Sequence, residues 1–189
     1  MNGKNEKRIS SFNYDWVSKK QLSFPEKRTF KNEKGLTVEY WIMKPANYVA
    51  GKKYPTILNI HGGPSAMWGP GESSMWHEFQ YYAAKGYAIV YGNPRGSGGY
   101  GEEFLRANVN DWGAGPTSDV LTSVDLATKE GFIDTSRLAV TGGSYAGYLP
   151  FNFYPQKSMP GYGGGSFAGF MLATLAILST TKIGTALVV

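Results

Sequence analysis

Three short apolar runs, Thr56-Ile57-Leu58-Asn59-Ile60, Ala88-Ile89-Val90-Tyr91 and Leu138-Ala139-Val140, are separated by two stretches with helical spacing. Runs this short, with almost no polar alternation, suit strands covered on both faces. Ser73 or Ser74 can cap the first helix, over residues 75–85, and Gly86 stops it. Thr117 or Ser118 can cap the second, which reaches about Glu130 and carries Val120, Leu121, Val124, Leu126 and Ala127 along one side. Strand, helix, strand, helix, strand predicts an α/β fold around a mostly parallel sheet. A further strand is expected over residues 36–43, between Gly35 and Pro45.

Composition narrows the chemistry. The 189 residues include no Cys, which excludes disulfides, thiol nucleophiles and thiolate metal centres. Only His61 and His77 are present, too few for a histidine-rich metal site, and no metal or cofactor is expected. The net charge of +5 resides entirely in residues 1–34, where nine Lys/Arg face four acids. Those charges are dispersed among Ser, Asn and Pro, the pattern of a solvated polar linker, and no nucleic-acid partner is expected. Residues 1–7 lack an apolar core, so no secretory signal is expected on this chain; the compartment stays unassigned, leaning to the cytoplasm.

The sharpest chemical signal is Leu138-Ala139-Val140-Thr141-Gly142-Gly143-Ser144-Tyr145-Ala146-Gly147. A strand delivers a Ser into a tight turn leading to a helix, with Gly142 and Ala146 small enough for the backbone to close. Ala146 stands where a nucleophile elbow usually has Gly. Upstream, His61-Gly62-Gly63-Pro64 directly follows an expected strand. Glycines there let main-chain N–H groups approach a developing oxyanion.

Together with Asn93-Pro94-Arg95-Gly96-Ser97-Gly98-Gly99-Tyr100-Gly101 and Asp111-Trp112-Gly113-Ala114-Gly115-Pro116, these motifs resemble the catalytic domain of the prolyl oligopeptidase family of serine peptidases. The resemblance runs from about Trp16 to Leu149 and is nearest to the acylaminoacyl-peptidase and dipeptidyl-peptidase-like branch. It implies an α/β-hydrolase fold, short peptide substrates, and a β-propeller domain in the full-length parent. It also implies Ser144 as nucleophile, Gly63 and Tyr145 as oxyanion N–H donors, and His61, Gly62 and Arg95 in active-site loops. Taken singly, Arg95 reads as a loop-fixing donor, Trp112 as packing and His77 as a helix residue without a catalytic role. The Gly96–Gly101 cluster lacks a following Gly-Lys-Ser/Thr, so nucleotide binding is rejected.

The chain departs from this pattern after Leu149. An α/β-hydrolase needs an acid and then a His downstream of its Ser, and residues 145–189 contain no Asp, Glu or His. They begin with Pro150, Pro155 and Pro160, pass through Gly163-Gly164-Gly165, and end in an apolar run over 167–189 broken by Lys182. The expected organisation is a polar linker (1–34), the N-terminal part of a hydrolase domain whose last strands are missing (35–149), and an atypical, out-of-frame or foreign tail (150–189). Such a fragment is expected to be inactive. Two alternatives are a small-molecule esterase on the same fold and a catalytically dead interaction or membrane-associated remnant. The 23-residue apolar run is long enough to span a bilayer, but Lys182 and Gly184 weigh against a membrane partner. Gly164-Gly165-Ser166-Phe167-Ala168-Gly169 echoes the elbow, but a Pro/Gly stretch rather than a strand precedes it, so Ser144 is preferred over Ser166.

Overall fold

The computed structural model describes residue 7 and residues 9–63, 65–71 and 75–146. Their order is α1 (Tyr14–Val17), β1 (Glu26–Lys31), β2 (Thr37–Met43), β3 (Tyr54–Ile60), α2 (Trp76–Ala84), β4 (Ala88–Asn93), α3 (Glu102–Arg106), α4 (Ala114–Thr128) and β5 (Ile133–Gly142). The strands form one sheet in the order β1-β2-β4-β3-β5. The three strands expected from the apolar runs, β3, β4 and β5, are mutually parallel, and β1 and β2 add an antiparallel flank.

The near-continuous apolar runs have a direct cause. On β2 and β4, Tyr40, Ile42, Ala88 and Val90 join Leu58 and Ile60 of β3 in a core covered by Val120, Val124 and Ala127 of α4. The alternate residues Trp41, Met43, Ile89 and Tyr91 form a second core with Phe79 and Ala83 of α2. The sheet is therefore buried on both faces, with α2 and α4 on opposite sides. Successive side chains on a strand point to opposite faces, so both parities must be apolar.

The chain runs from β3 to β4 in one direction across the sheet and from β4 to β5 back past β3. Right-handed crossovers then place the intervening helices on opposite faces, and the reversal opens a crevice at the carboxyl ends of the strands. That is where the glycine-rich turns after β3, β4 and β5 lie.

Several boundaries and one segment differ from the sequence expectation. The polar linker expected over residues 1–34 contains β1, whose only large apolar residue, Phe30, packs edge-on against Tyr40 at 6.1 Å. Its strand identity comes from pairing with β2 rather than from its own pattern. Helix α4 begins three residues before Thr117, because the Asp111 carboxylate accepts the Gly115 N–H at 3.0 Å and closes the first turn from outside. Pro116 is tolerated there, since the first-turn N–H groups have no partner within the helix. Thr117, expected as a cap, lies inside the helix and is buried. The caps expected at Ser73 or Ser74 lie outside the described residues, as does the whole tail from residue 147. Strand β5, expected to be covered on both faces, leaves Leu138 46% and Val140 49% exposed. Its one partner among the described residues is β3.

Candidate active site

Strands β3 and β5 are adjacent and parallel, with Ile60 opposite Gly142. The chain leaving β3 as His61-Gly62-Gly63 therefore emerges beside the chain leaving β5 as Gly143-Ser144. The two turns touch. A Cβ built on Gly62 would lie 3.0 Å from the Gly143 carbonyl oxygen and 3.3 Å from the Ser144 Cβ. Glycine at 62 is thus a steric requirement of this approach.

Ser144 has φ 58°, a left-handed conformation that a non-glycine residue adopts only where its surroundings enforce it. The enforcement is visible beneath it. A Cβ on Gly142 would fall 2.3 Å from the Ile60 carbonyl oxygen and 2.5 Å from the Ala146 Cβ. Small residues two before and two after Ser144 let the strand turn sharply into the next segment, and Ala146 is buried and fits in place of Gly. Ser144 itself is exposed. Tyr145 is buried, its hydroxyl donating to the Trp112 carbonyl oxygen at 2.6 Å and its ring edge-on to Trp112 at 5.9 Å. Trp112 is 55% exposed, so it both braces Tyr145 and presents its ring to solvent.

His61 is 1% exposed. Its Nδ1 lies 3.1 Å from the Gly62 carbonyl oxygen and its Nε2 3.0 Å from the Ser97 Oγ. Burial pushes the imidazole pKa down, with the Gly62 and Gly63 backbone opposing. Both ring nitrogens are engaged within the loops. His77 is exposed on α2. Among the described residues no cluster of three or more His, Asp or Glu could hold a metal ion, and no helix is long and apolar enough to cross a membrane. Ser166 and residues 167–189 lie outside the described residues.

The loop after β4 is fastened from below by Arg95, whose side chain is fully buried. Its Nε and Nη2 donate to the Asp119 carboxylate of α4 at 2.9 and 2.7 Å, and its backbone N–H donates to Asp119 at 2.9 Å. Its other edge makes a bidentate pair with Glu33, with Nη2 at 2.7 Å and Nη1 closer still. Burial opposes the guanidinium charge, but hydrogen bonds to Asp119 and Glu33 outweigh it and raise the pKa further. Arg95 is thus committed to holding loops together. Tyr100 adds a second fastening: its hydroxyl accepts from Asn93 at 2.7 Å and donates to Glu39 at 3.0 Å, and burial pushes it up to about 12. Asp119 and Glu33 lie outside the sequence motifs, and Ser97, within one, is given no role of its own. Asp119 reads as an ordinary helix residue and Glu33 as part of a solvated segment, because their partner is distant in sequence.

Residues 73–153 match the Prolyl oligopeptidase family. Over that stretch the chain is similar to this family. Over 148 residues it is 47% identical to the uncharacterized peptidase YuxL of Bacillus subtilis, covering 78% of this chain and 22% of that protein. It is 32% identical over 121 residues to dipeptidyl-peptidase 5 of Schizosaccharomyces pombe, covering 64% and 18% respectively. Among solved structures, Pyrococcus horikoshii acylaminoacyl peptidase superposes with a TM-score of 0.67 at 32% identity, over 75% of this chain and 22% of that one. An acylaminoacyl peptidase in complex with Z-Gly-Gly-Phe-chloromethyl ketone superposes with a TM-score of 0.68 at 34% identity, over the same shares. The α/β arrangement is that of an incomplete α/β-hydrolase fold. The chain spans about a fifth of the length of the relatives it matches.

Proposed function

We propose that this chain carries the nucleophile half of a serine peptidase site, acting on short peptides through an acyl-enzyme on Ser144. The observation that supports this most is the left-handed, exposed Ser144 between Gly142 and Ala146, with Gly62 packed against it. In this reading the Ser144 Oγ attacks the scissile carbonyl carbon while an imidazole takes the hydroxyl proton. The carbonyl oxygen, now an oxyanion, is held by the N–H groups of Gly63 and Tyr145. The C–N bond then breaks as the imidazole returns the proton to the leaving amine, and water hydrolyses the ester by the same route.

Neither His of this chain is offered as that imidazole. His61 is occupied by Gly62 of its own loop and Ser97 of the loop after β4, and His77 lies on the exposed side of α2. Residues 145–189 provide no acid and no His. The base and its orienting acid therefore belong to a longer parent, which would also carry the β-propeller, with residues 35–149 as the N-terminal part of its catalytic domain. Loss of the base costs several orders of magnitude in triad enzymes, so turnover by this chain alone is negligible.

The test is hydrolysis of an aminoacyl-arylamide by the intact chain, together with covalent labelling by a fluorophosphonate. No turnover, and slow stoichiometric labelling that Ser144→Ala abolishes, is the expected result. Measurable turnover that depends on Ser144 would overturn the claim of inactivity. Labelling that persists in Ser144→Ala would overturn the nucleophile.

A further inference from the structure

The chain leaving β3 and the loop after β4 meet along a seam that the reaction above does not use. At one end the Gly98 N–H donates to the Ser65 and Ala66 carbonyl oxygens, each at 3.2 Å. At the other the Asn93 side chain accepts the Trp68 N–H at 2.9 Å and donates to the Trp68 carbonyl oxygen at 2.7 Å. Met67 lies between these two fastenings. Its sulfur fills the notch that Gly99 leaves by having no side chain, since a Cβ built there would overlap the Met67 Sδ. The Ala66 N–H also donates to the Gly63 carbonyl oxygen at 3.1 Å, so the seam runs into the turn whose N–H is assigned above to the oxyanion.

We propose that Met67 is an oxidation site through which peroxide slows the chemistry at Ser144. This rests on the roles proposed for Ser144 and Gly63. Of the three methionines among the described residues, Met43 is 2% exposed and Met75 packs against the second core, whereas Met67 is 46% exposed and open to a dissolved oxidant. In the reaction a sulfur lone pair attacks one oxygen of hydrogen peroxide and the O–O bond breaks. The other oxygen takes up the proton of the first and leaves as water. Sulfur is oxidised by two electrons, and the peroxide is reduced by two. The sulfoxide is polar where the thioether was apolar. The notch presents the Cα of a glycine to it, and a polar oxygen buried there without a donor is costly, so the oxidised side chain leaves the notch for water. The seam then loses the side chain at its centre, and the Ser65 and Ala66 carbonyls are held to Gly98 less firmly. That loosening reaches Gly63 through the Ala66 hydrogen bond.

The full chain is treated with hydrogen peroxide and the products are followed by peptide mass mapping. Conversion of Met67 ahead of Met43 and Met75 is expected, and either of those two reacting first overturns the proposal. Amide hydrogen exchange reads the seam without reference to activity. The Gly98 N–H should exchange about threefold faster or more in the oxidised chain, and an unchanged rate overturns the proposal. Fluorophosphonate labelling of Ser144 should slow by about threefold to tenfold, short of the loss from deleting an oxyanion donor outright. It should recover when methionine sulfoxide reductases for both sulfoxide epimers are added. In Met67→Leu the same treatment should change neither rate from its untreated value. Slowing that persists in this variant, or that the reductases do not reverse, places the effect elsewhere and overturns the proposal. If the untreated parent is not labelled at all, the nucleophile reading fails, and the exchange of Gly98 by itself decides whether Met67 latches the two loops.

Discussion

A missing Cβ at position 62 and a positive φ at position 144 carry much of this site. Because a methyl group at Gly62 would press on the Gly143 carbonyl and the Ser144 Cβ, Gly62→Ala should disturb the site more than the fold. Its expected signature is slower fluorophosphonate labelling of Ser144 with a melting temperature shifted by only a few degrees, about 1 kcal/mol at most for displacing surface turns. A large loss of stability with unchanged labelling would show that the close approach serves folding instead. Arg95 works in the opposite sense. It touches no exposed surface, and replacing it with Met would leave the Asp119 carboxylate buried without its cation. Denaturant unfolding should register a loss of about 3–5 kcal/mol, as for other broken buried pairs. Arg95→Lys should recover only part of this, because an ammonium cannot make the two bidentate contacts that the guanidinium makes with Asp119 and Glu33.

At the scale of elements, the β1–β2 hairpin ties the N-terminal segment to the loop after β4 and to α4. Its turn is built on Asn32, whose Oδ1 accepts the Lys34 and Leu36 N–H groups and whose Nδ2 donates to Asp119 at 3.2 Å. The same turn presents Glu33 to Arg95. Hydrogen bonding to Arg95 holds the Glu33 carboxyl at about 2, well below its ordinary value of 4.5. A depressed carboxylate stabilises the fold fully above its unfolded pKa and loses that contribution as pH falls toward its folded one. The melting temperature should therefore drop between about pH 4.5 and pH 2. Glu33→Gln should flatten that drop in part; the remainder includes Asp134, held at about 2 by Ser136 and Arg137. The Glu33 side chain is 59% exposed, so its share should be modest and shrink with added salt. A drop identical in parent and variant would remove Glu33 from this account. The hairpin was not legible in the sequence because β1 has one large apolar residue, while α2, β3 and β4 announced themselves by period and length.

Among the described residues of the whole molecule, the sheet is well covered through β2, β4 and β3 and thinly covered at β5. Leu138 and Val140 stand about half exposed on a ten-residue strand, and exposed apolar edges recruit other chains. Self-association at micromolar concentration is the expected behaviour of this chain, and a Leu138→Lys, Val140→Lys double variant should shift sedimentation toward monomer while the far-ultraviolet dichroism is retained. A sharp two-state melt of a monomeric parent would contradict this. The sequence by itself determined the α/β class, the turn that carries Ser144 and the glycine loop after β3, because each depends on local spacing and on residues too small to have substitutes. It also showed that residues 145–189 offer no acid or imidazole. Only the tertiary structure decided that β3 and β5 are neighbours, that Gly62 meets Ser144, that Arg95 is spent on Asp119 and Glu33, and that His61 faces Gly62 and Ser97. Those relations join residues far apart in the chain, and strand order and packing across the sheet, which no local pattern encodes, bring them together.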